Sequence, residues 1–384
     1  MPEASPTKWH LAHVTWFFEA FLLKPYLSHY KEFNQGFHYI FNSYYQQLGI
    51  MHPREKRGLL SRPTVAEIYQ YRAYIDENMQ VLIDSMKETQ WAEIQKRILI
   101  GLNHEQQHQE LFFTDIKYNL SVNPLYPVYR NDLAKYPQTI PHPQQWIDYQ
   151  AATHHIGNNA QNEFIFDNEF PEHQQYIDEF QLSSRLVTNG EYIEFIEDNG
   201  YQRPEFWLSD GWATVQQQHW QAPLYWQKQD NTWWNFTLSG LQPVDKNTPV
   251  CHVSYFEADA YATWANARLA TEFEWEVAAQ SLSMKGNFYE NDHLQTIPAS
   301  EHDNLQQMYG DVWEWTRSPY VAYPKYRAAK GAIGEYNGKF MCNQFVLRGG
   351  SCVTSQNHIR LSYRNFFYPH ERWQFKGFRL AKDV

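Results

Sequence analysis

Hydrophobic and polar positions divide the chain into two unlike parts. In the first third, apolar residues recur at helical spacing. Ser5-Pro6 makes a helix start, with Ser as N-cap and Pro at the first helical position. The stretch WHLAHVTWFFEAFLL then predicts a helix that ends at Pro25. Its apolar residues fall on two adjacent stripes, Trp9, His13, Trp16, Ala20 and His10, Val14, Phe17, Phe21, and each stripe holds a histidine. A second helix is predicted after Pro63-Thr64 over VAEIYQYRAYIDENMQVLIDSM. A third starts at Trp91, runs through AEIQKRILIGLNHEQQHQELFFTDIKYNL and stops before Pro124. Helices of this length joined by loops predict an antiparallel bundle over residues 1–125. Residues 126–150 are rich in Pro and Tyr and read as a linker with a strand-like start to the next domain. Over 151–384 the pattern is short strands and turns with much Gly, Trp and Tyr, and helical spacing stands out in EADAYATWANAR and ATEFEWEVAAQS. The expected fold class is α+β in two domains, a helical bundle followed by an irregular α+β domain.

Composition narrows the function. At 384 residues the chain is long enough for two sizeable cores. Asp and Glu number 43 against 32 Lys and Arg, a net charge of −11. General nucleic-acid binding rests on cationic neutralisation of phosphate and is excluded on that balance. Mean hydropathy is −0.68, and no apolar run approaches the ~18 residues that a membrane span needs. The opening MPEASPTKWHLAH lacks the basic start, apolar run and small-residue cleavage site of a secretory signal. Cys251, Cys342 and Cys352 are too few and too far apart for a disulfide framework. A cytoplasmic protein with neither nucleic-acid nor membrane partners is expected. Aromatic residues make up 17% of the chain, which points to large planar contacts in the core or around a ligand.

The strongest local signal for chemistry is His104-Glu-Gln-Gln-His108. Residues four apart share a helix face, so both imidazoles can reach one metal ion. Gly101, one turn earlier, leaves room beside His104. The string also matches the zinc-peptidase pattern H-E-x-x-H, with Glu105 as general base. That reading fails for want of a third ligand: no Glu occurs between Glu110 and Glu163, and Leu111 stands where the extended pattern has Gly. A third imidazole is available upstream, from His10 or His13, and periodicity does not choose between them. Three neutral imidazoles suit Zn, Fe, Cu or Ni. Weaker candidates are the hydroxyls of Tyr44-Tyr45, the loop arginines Arg54, Arg57 and Arg62, which could clamp a carboxylate, and Arg364-Asn365-Phe366-Phe367, where Asn can bond an imidazole or carboxylate and aromatic faces can hold a quaternary ammonium.

Some of these strings carry a resemblance. SPTKWHLAHVTWFFE and NHEQQHQELF, with His104, His108 and Glu110 in H-x-x-x-H-x-E, resemble the metal-binding DinB-like four-helix bundle. FDNEFPEH, VTNGEYIEFIEDNGY, PVCHVSYFEADAYATWANARLATEFEWEVAA, YGDVWEWTRSPY, VLRGGSC and GFRLA resemble the formylglycine-generating-enzyme (sulfatase-modifying factor) domain, whose fold is C-type-lectin-like. The two in this order, with RGLLSRPT and GEYNGKFM, resemble the ergothioneine-biosynthesis sulfoxide synthases over nearly the whole chain.

That resemblance implies an Fe(II) centre held by His13, His104 and His108, with Glu110 behind a ligand. It implies that dioxygen is used to join a thiol to C2 of the imidazole of hercynine (Nα-trimethylhistidine), the sulfur leaving as a sulfoxide. Gln107 and Asn365 match positions that hold hercynine, and Phe366 matches an aromatic one where contact with the trimethylammonium is expected. One branch of the family uses γ-glutamylcysteine and has Asp where Phe367 stands here. The cysteine-using branch has the Tyr-Tyr pair seen at Tyr44-Tyr45, so cysteine is the expected donor. Arg54 and Arg57 are then candidates for its carboxylate, and Tyr44 or Tyr45 for proton delivery. The same architecture with γ-glutamylcysteine or a selenium donor, and a DinB-like zinc-dependent thiol transferase, are the alternatives. Family members carry a further helix before S-P-x-K-W, where only MPEA stands here, so a bundle short of its first helix is expected. The C-terminal domain is expected to supply a substrate-facing wall, because Cys342 and Cys352, ten apart, do not read as the reactive pair of formylglycine generation.

Overall fold

The structure is a computed structural model that describes residues 4–159, 164–301 and 304–384. It divides into two compact units, Met1–Ile116 with Arg327–Lys339, and Lys117–Tyr326 with Phe340–Val384. This differs in two ways from the boundaries expected above. The chain changes unit at Ile116/Lys117, inside a helix, and residues 126–150 are no free linker. The backbone N–H groups of Tyr129 and Arg130 donate to the Leu238 carbonyl at 2.9 and 3.2 Å, and Arg130 pairs with Asp292 at 2.8 Å. The second difference is Arg327–Lys339, which sequence order puts in the C-terminal domain and which packs in the first unit.

In the first unit, α1 (Thr7–Phe18) begins one residue later than the sequence implies. Pro6 takes the cap position, and the Ser5 N–H donates instead to Asp115 Oδ2 at 2.8 Å. The helix also outlasts Pro25. A π turn, Glu19–Leu23, resets the hydrogen-bond register, with Lys24 N–H reaching the Glu19 carbonyl. Pro25 then falls in the first turn of α2 (Lys24–Tyr26), where a missing N–H is tolerated. A short α3 (Gln35–Phe41) follows, which the periodicity did not reveal. α4 (Val65–Ser85) starts at a capping box of Thr64 and Glu67, and α5 (Trp91–Ser121) is the long helix expected from Trp91. Trp9, Trp16, Phe17, Ile68, Tyr71, Ile75 and Ile94 fill the core.

The second unit is irregular α+β, as the turn-rich pattern implies. One four-stranded sheet joins β1 (Trp146–Tyr149), β4 (Phe180–Ser183), β13 (Leu380–Asp383) and β8 (Arg268–Leu269), in that order. Another joins β11 (Asn365–Phe367), β10 (Phe345–Arg348), β9 (Trp313–Pro319) and β12 (Lys376–Gly377). Capping boxes begin α6 (Asn189–Glu197), α8 (Tyr255–Trp264) and α9 (Glu272–Ala279). Buried ion pairs tie distant segments together. Arg364 binds Glu272, Arg348 binds Glu276, and Arg379 binds Glu314 at 2.5 and 3.1 Å, with the Trp275 indole N–H also donating to Glu314. Removing one partner of such a pair strands the other charge in the core. Glu314→Gln is expected to cost about 3–5 kcal/mol, read as a lower urea midpoint; an unchanged midpoint would mean that Arg379 is satisfied by its carbonyl partners alone.

Candidate metal centre

The centre is built by two helices of the first unit. His104 and His108 are one turn apart on α5, and His13 projects from α1. One ligand nitrogen from each lies within 4.8 Å of the other two, and His13 Nε2 is 3.1 Å from His104 Nε2. Of His10 and His13, between which periodicity does not choose, it is His13 that stands in the cluster. His10 stands behind it, its Nδ1 2.9 Å from His108 Nδ1.

Aromatic rings wall the cluster. His13 is fully buried, stacked on Trp9 at 4.7 Å and on Trp16 at 5.8 Å, and Phe17 lies 5.0 Å from His104. Burial pushes all three imidazoles below their ordinary pKa, His104 to about 3, and the neighbouring imidazoles add to the effect. Each ring is therefore neutral at pH 7 and offers a lone pair, the form in which imidazole binds metal. Three such nitrogens fit a divalent first-row ion. Glu105, the base in a peptidase reading, is paired with Arg72 of α4.

Tyr44 and Tyr45 come to the same unit. Their hydroxyls are 3.3 Å apart, and burial raises both pKa values, so both stay protonated at neutral pH. Tyr336 links them to the cluster. Its ring is 6.3 Å from Tyr44 and 5.9 Å from His104, and its hydroxyl donates to Gln107 Oε1. Sequence reasoning noticed GEYNGKFM but gave this tyrosine no role; a lone Tyr among Gly and Asn has no periodicity to mark it. Arg57 is 2% exposed, lies over the Trp9 ring at 3.6 Å and donates to Ser5 and Ser43, while burial and Arg54 push its pKa down to about 9. Arg54 is exposed at the start of the same 3-10 helix, Arg54–Leu59.

Asn365, Phe366 and Phe367 belong to the second unit, on β11, and each is half-buried. Asn365 Oδ1 accepts the Phe366 N–H at 2.9 Å. Phe366 is stacked on Tyr320 at 4.1 Å, and the Lys376 ammonium sits 3.7 Å over Phe367. Cys342 is exposed, Cys352 is buried, and neither forms a disulfide.

A family model for the sulfatase-modifying factor enzyme 1-like domain matches residues 149–303 and 283–384, more than half of the chain. The chain belongs to this family. Hercynine oxygenase of Mycobacterium tuberculosis is 35% identical to it over 241 residues, 57% of this chain and 56% of that protein. Hercynine oxygenase of Mycolicibacterium smegmatis is 35% identical over 243 residues, with the same shares. Ergothioneine biosynthesis protein 1 of Schizosaccharomyces pombe is 26% identical over 240 residues, 57% of this chain and 28% of that protein. The chain thus spans about half the length of the hercynine oxygenases it matches. Among the described residues no helix is long and apolar enough to cross a membrane.

The Arg327–Lys339 segment that brings Tyr336 to the cluster is anchored by Glu335. Its carboxylate accepts the N–H groups of Gln46 and Gln47 at 3.0 and 2.9 Å and pairs with Lys339 at 2.8 Å. Burial pushes this carboxyl up, but Lys339 and the two N–H groups outweigh it and hold the pKa below the ordinary value. A depressed carboxyl stabilises fully above its unfolded pKa, about 4.3, and that contribution is lost as pH falls through the folded value. Protease cleavage within the segment is therefore expected to be slow at neutral pH and to quicken below about pH 4. Glu335→Gln should already be fast at neutral pH; equal rates for the two proteins there would remove Glu335 as the anchor.

Proposed function

We propose that this chain is a non-heme Fe(II)-dependent oxygenase that joins cysteine to C2 of the imidazole of hercynine and yields the sulfoxide. The observation that carries the proposal is the buried cluster of three neutral imidazoles, in a chain whose other unit is similar to hercynine oxygenases. The overall reaction takes one C–H, one S–H and one dioxygen to a C–S(=O) group and one water. Imidazole C2 is a poor electrophile, so the carbon–sulfur bond needs an oxidant. Iron held by His13, His104 and His108 supplies the one-electron chemistry through which dioxygen can react with closed-shell partners.

The remaining roles fall to the chain's own side chains. Arg57 is a buried guanidinium whose Nε has no hydrogen-bond partner among the described residues, and it suits the carboxylate of the sulfur donor, with Arg54 as a second cation. In the first unit Gln107 is held by Tyr336 and presents its amide to hercynine; in the second, Asn365 and Phe366 are the side chains suited to its polar group and its trimethylammonium. Tyr44 and Tyr45, kept protonated by burial, deliver a proton to the reduced oxygen, and their hydroxyl contact lets one recharge the other. Phe367 leaves no carboxylate for the ammonium group of a γ-glutamyl donor, which favours cysteine. Holding donor and acceptor beside one metal removes much of the entropy of their encounter.

The test is an anaerobic preparation given Fe(II), hercynine and cysteine and then exposed to air. The expected product has the mass of hercynine plus cysteine, less two hydrogens, plus one oxygen. It should be absent without iron and with His13→Ala. Product only with γ-glutamylcysteine or a selenium donor would overturn the reading of Phe367; thiol transfer that needs zinc and no dioxygen would overturn the oxygenase. Replacing Tyr44 and Tyr45 together by Phe is expected to slow sulfoxide formation by at least roughly tenfold. Unchanged turnover would take both tyrosines out of the mechanism. Asn365→Ala is expected to raise the KM for hercynine more than that for cysteine.

A further inference from the structure

The three imidazoles of the cluster are backed by different groups. His13 Nδ1 lies 2.6 Å from the Phe41 carbonyl oxygen and can only donate to it. His104 Nδ1 is buried with no hydrogen-bond partner among the described residues. His108 Nδ1 faces His10 Nδ1 at 2.9 Å, and His10 Nε2 faces Asp115 Oδ2 at 2.9 Å. Facing ring nitrogens need one proton between them, and a carboxylate accepts but does not donate. Asp115 therefore fixes the proton of His10 on Nε2. In a neutral His10 that leaves Nδ1 as an acceptor, so His108 is the donor. The result is a single tautomer of His108, with Nδ1–H turned to His10 and the Nε2 lone pair free.

We infer that Asp115, acting through His10, is a positioning residue that sets the tautomer and donor strength of His108 as a metal ligand, although neither Asp115 nor His10 touches the metal. The inference rests on the proposal that the three histidines hold a metal ion. Sequence and packing build the wire. His108 and Asp115 are seven residues apart, two turns along one face of α5, and His10 lies one turn before His13 on α1. Asp115 is 5% exposed, and its Oδ2 also accepts the Ser5 N–H at 2.8 Å, so the carboxylate is held in place from the chain segment that starts α1. An imidazole that donates toward an anion gains electron density at its other nitrogen, and partners of this kind tune metal affinity. His13 leans on a neutral carbonyl and gains less. The ligands of this centre are thus unequal, with His108 the strongest donor.

Asp115→Asn isolates the charge. Both hydrogen bonds fall on one oxygen, and the amide oxygen of Asn can accept both, so the geometry survives while the charge is lost. Metal-free protein is titrated with Co(II), whose visible bands report ligand field as well as binding. The wild-type chain is expected to take up one Co(II). Asp115→Asn should bind it roughly tenfold to a hundredfold more weakly and with shifted bands, at unchanged stoichiometry and unchanged circular dichroism. A purely structural Asp115 would alter stability and leave the bands of the bound ion in place. Should Asp115→Asn fail to fold, His10→Gln carries the same expectation, because Gln cannot pass the carboxylate's influence through a ring. Affinity within twofold of wild type and identical bands in the folded variant overturn the inference and leave the proposed metal centre intact. Absence of Co(II) binding by the wild-type chain overturns the metal centre itself.

Discussion

Burying imidazoles side by side is the constraint on which the helical unit depends. A protonated imidazole there would be out of water beside two other imidazoles, so the rings stay neutral and their nitrogens must be oriented by something. The aromatic richness of α1 answers the first need. Trp9 and Trp16 both stack on His13, which is shut off from water. The second need is met one ring at a time, by the Phe41 carbonyl for His13 and by His10 with Asp115 for His108. α3 ends at Phe41, so the short helix that periodicity did not reveal holds one of the three rings in register.

How much of this could be read from the sequence depends on the kind of signal. His104 and His108 stood out because four residues make one helical turn; α4 appears where its cap and apolar spacing put it, and α5 where its apolar spacing does. His10 and His13 could not be separated by periodicity, because both lie on apolar stripes, both rings meet α5, and only the tertiary packing says which one stands with His104 and His108. The π turn was invisible for a related reason: the pattern of residues near Pro25 predicts a stop, and the backbone instead changes its hydrogen-bond register. Tyr336 was out of reach of any local rule. Its place beside His104 comes from a segment more than two hundred residues downstream in the chain.

The second unit solves a different problem. Its strands are short and its loops long, so regular ladders cannot satisfy much of the buried backbone. Arginines do that work. Arg348 donates to the carbonyls of Ser362 and Tyr363 as well as to Glu276, and Arg379 reaches the carbonyls of Ser183, Gln306 and Gln307 as well as Glu314. Each guanidinium thus gathers several loops around one buried charge pair. Such pairs are weak evidence for high stability; their effect here is to hold an irregular backbone in one arrangement. The half-buried β11 strand that carries Asn365, Phe366 and Phe367 is paired to β10 in that frame.

The Arg327–Lys339 segment shows why the domain order of the sequence and the units of the structure disagree. A helical cluster of this size can wall off its histidines with its own aromatic residues on the α1 side. Near His104 and Gln107 the wall comes instead from Tyr336. The segment is short, and polar contacts tie it to the helical cluster: Glu335 to two backbone N–H groups, Lys339 to the Tyr44 carbonyl, Tyr336 to Gln107. Contacts of that kind fix position, and the buried ring of Tyr336 adds the segment's apolar anchor. The two tyrosines assigned to proton delivery stand against the same segment, through Lys339 and Tyr336. The Tyr44–Tyr45 loop and Arg327–Lys339 are thus braced against each other, through Glu335 on the N–H groups of Gln46 and Gln47, Lys339 on the Tyr44 carbonyl and Tyr336 against the Tyr44 ring.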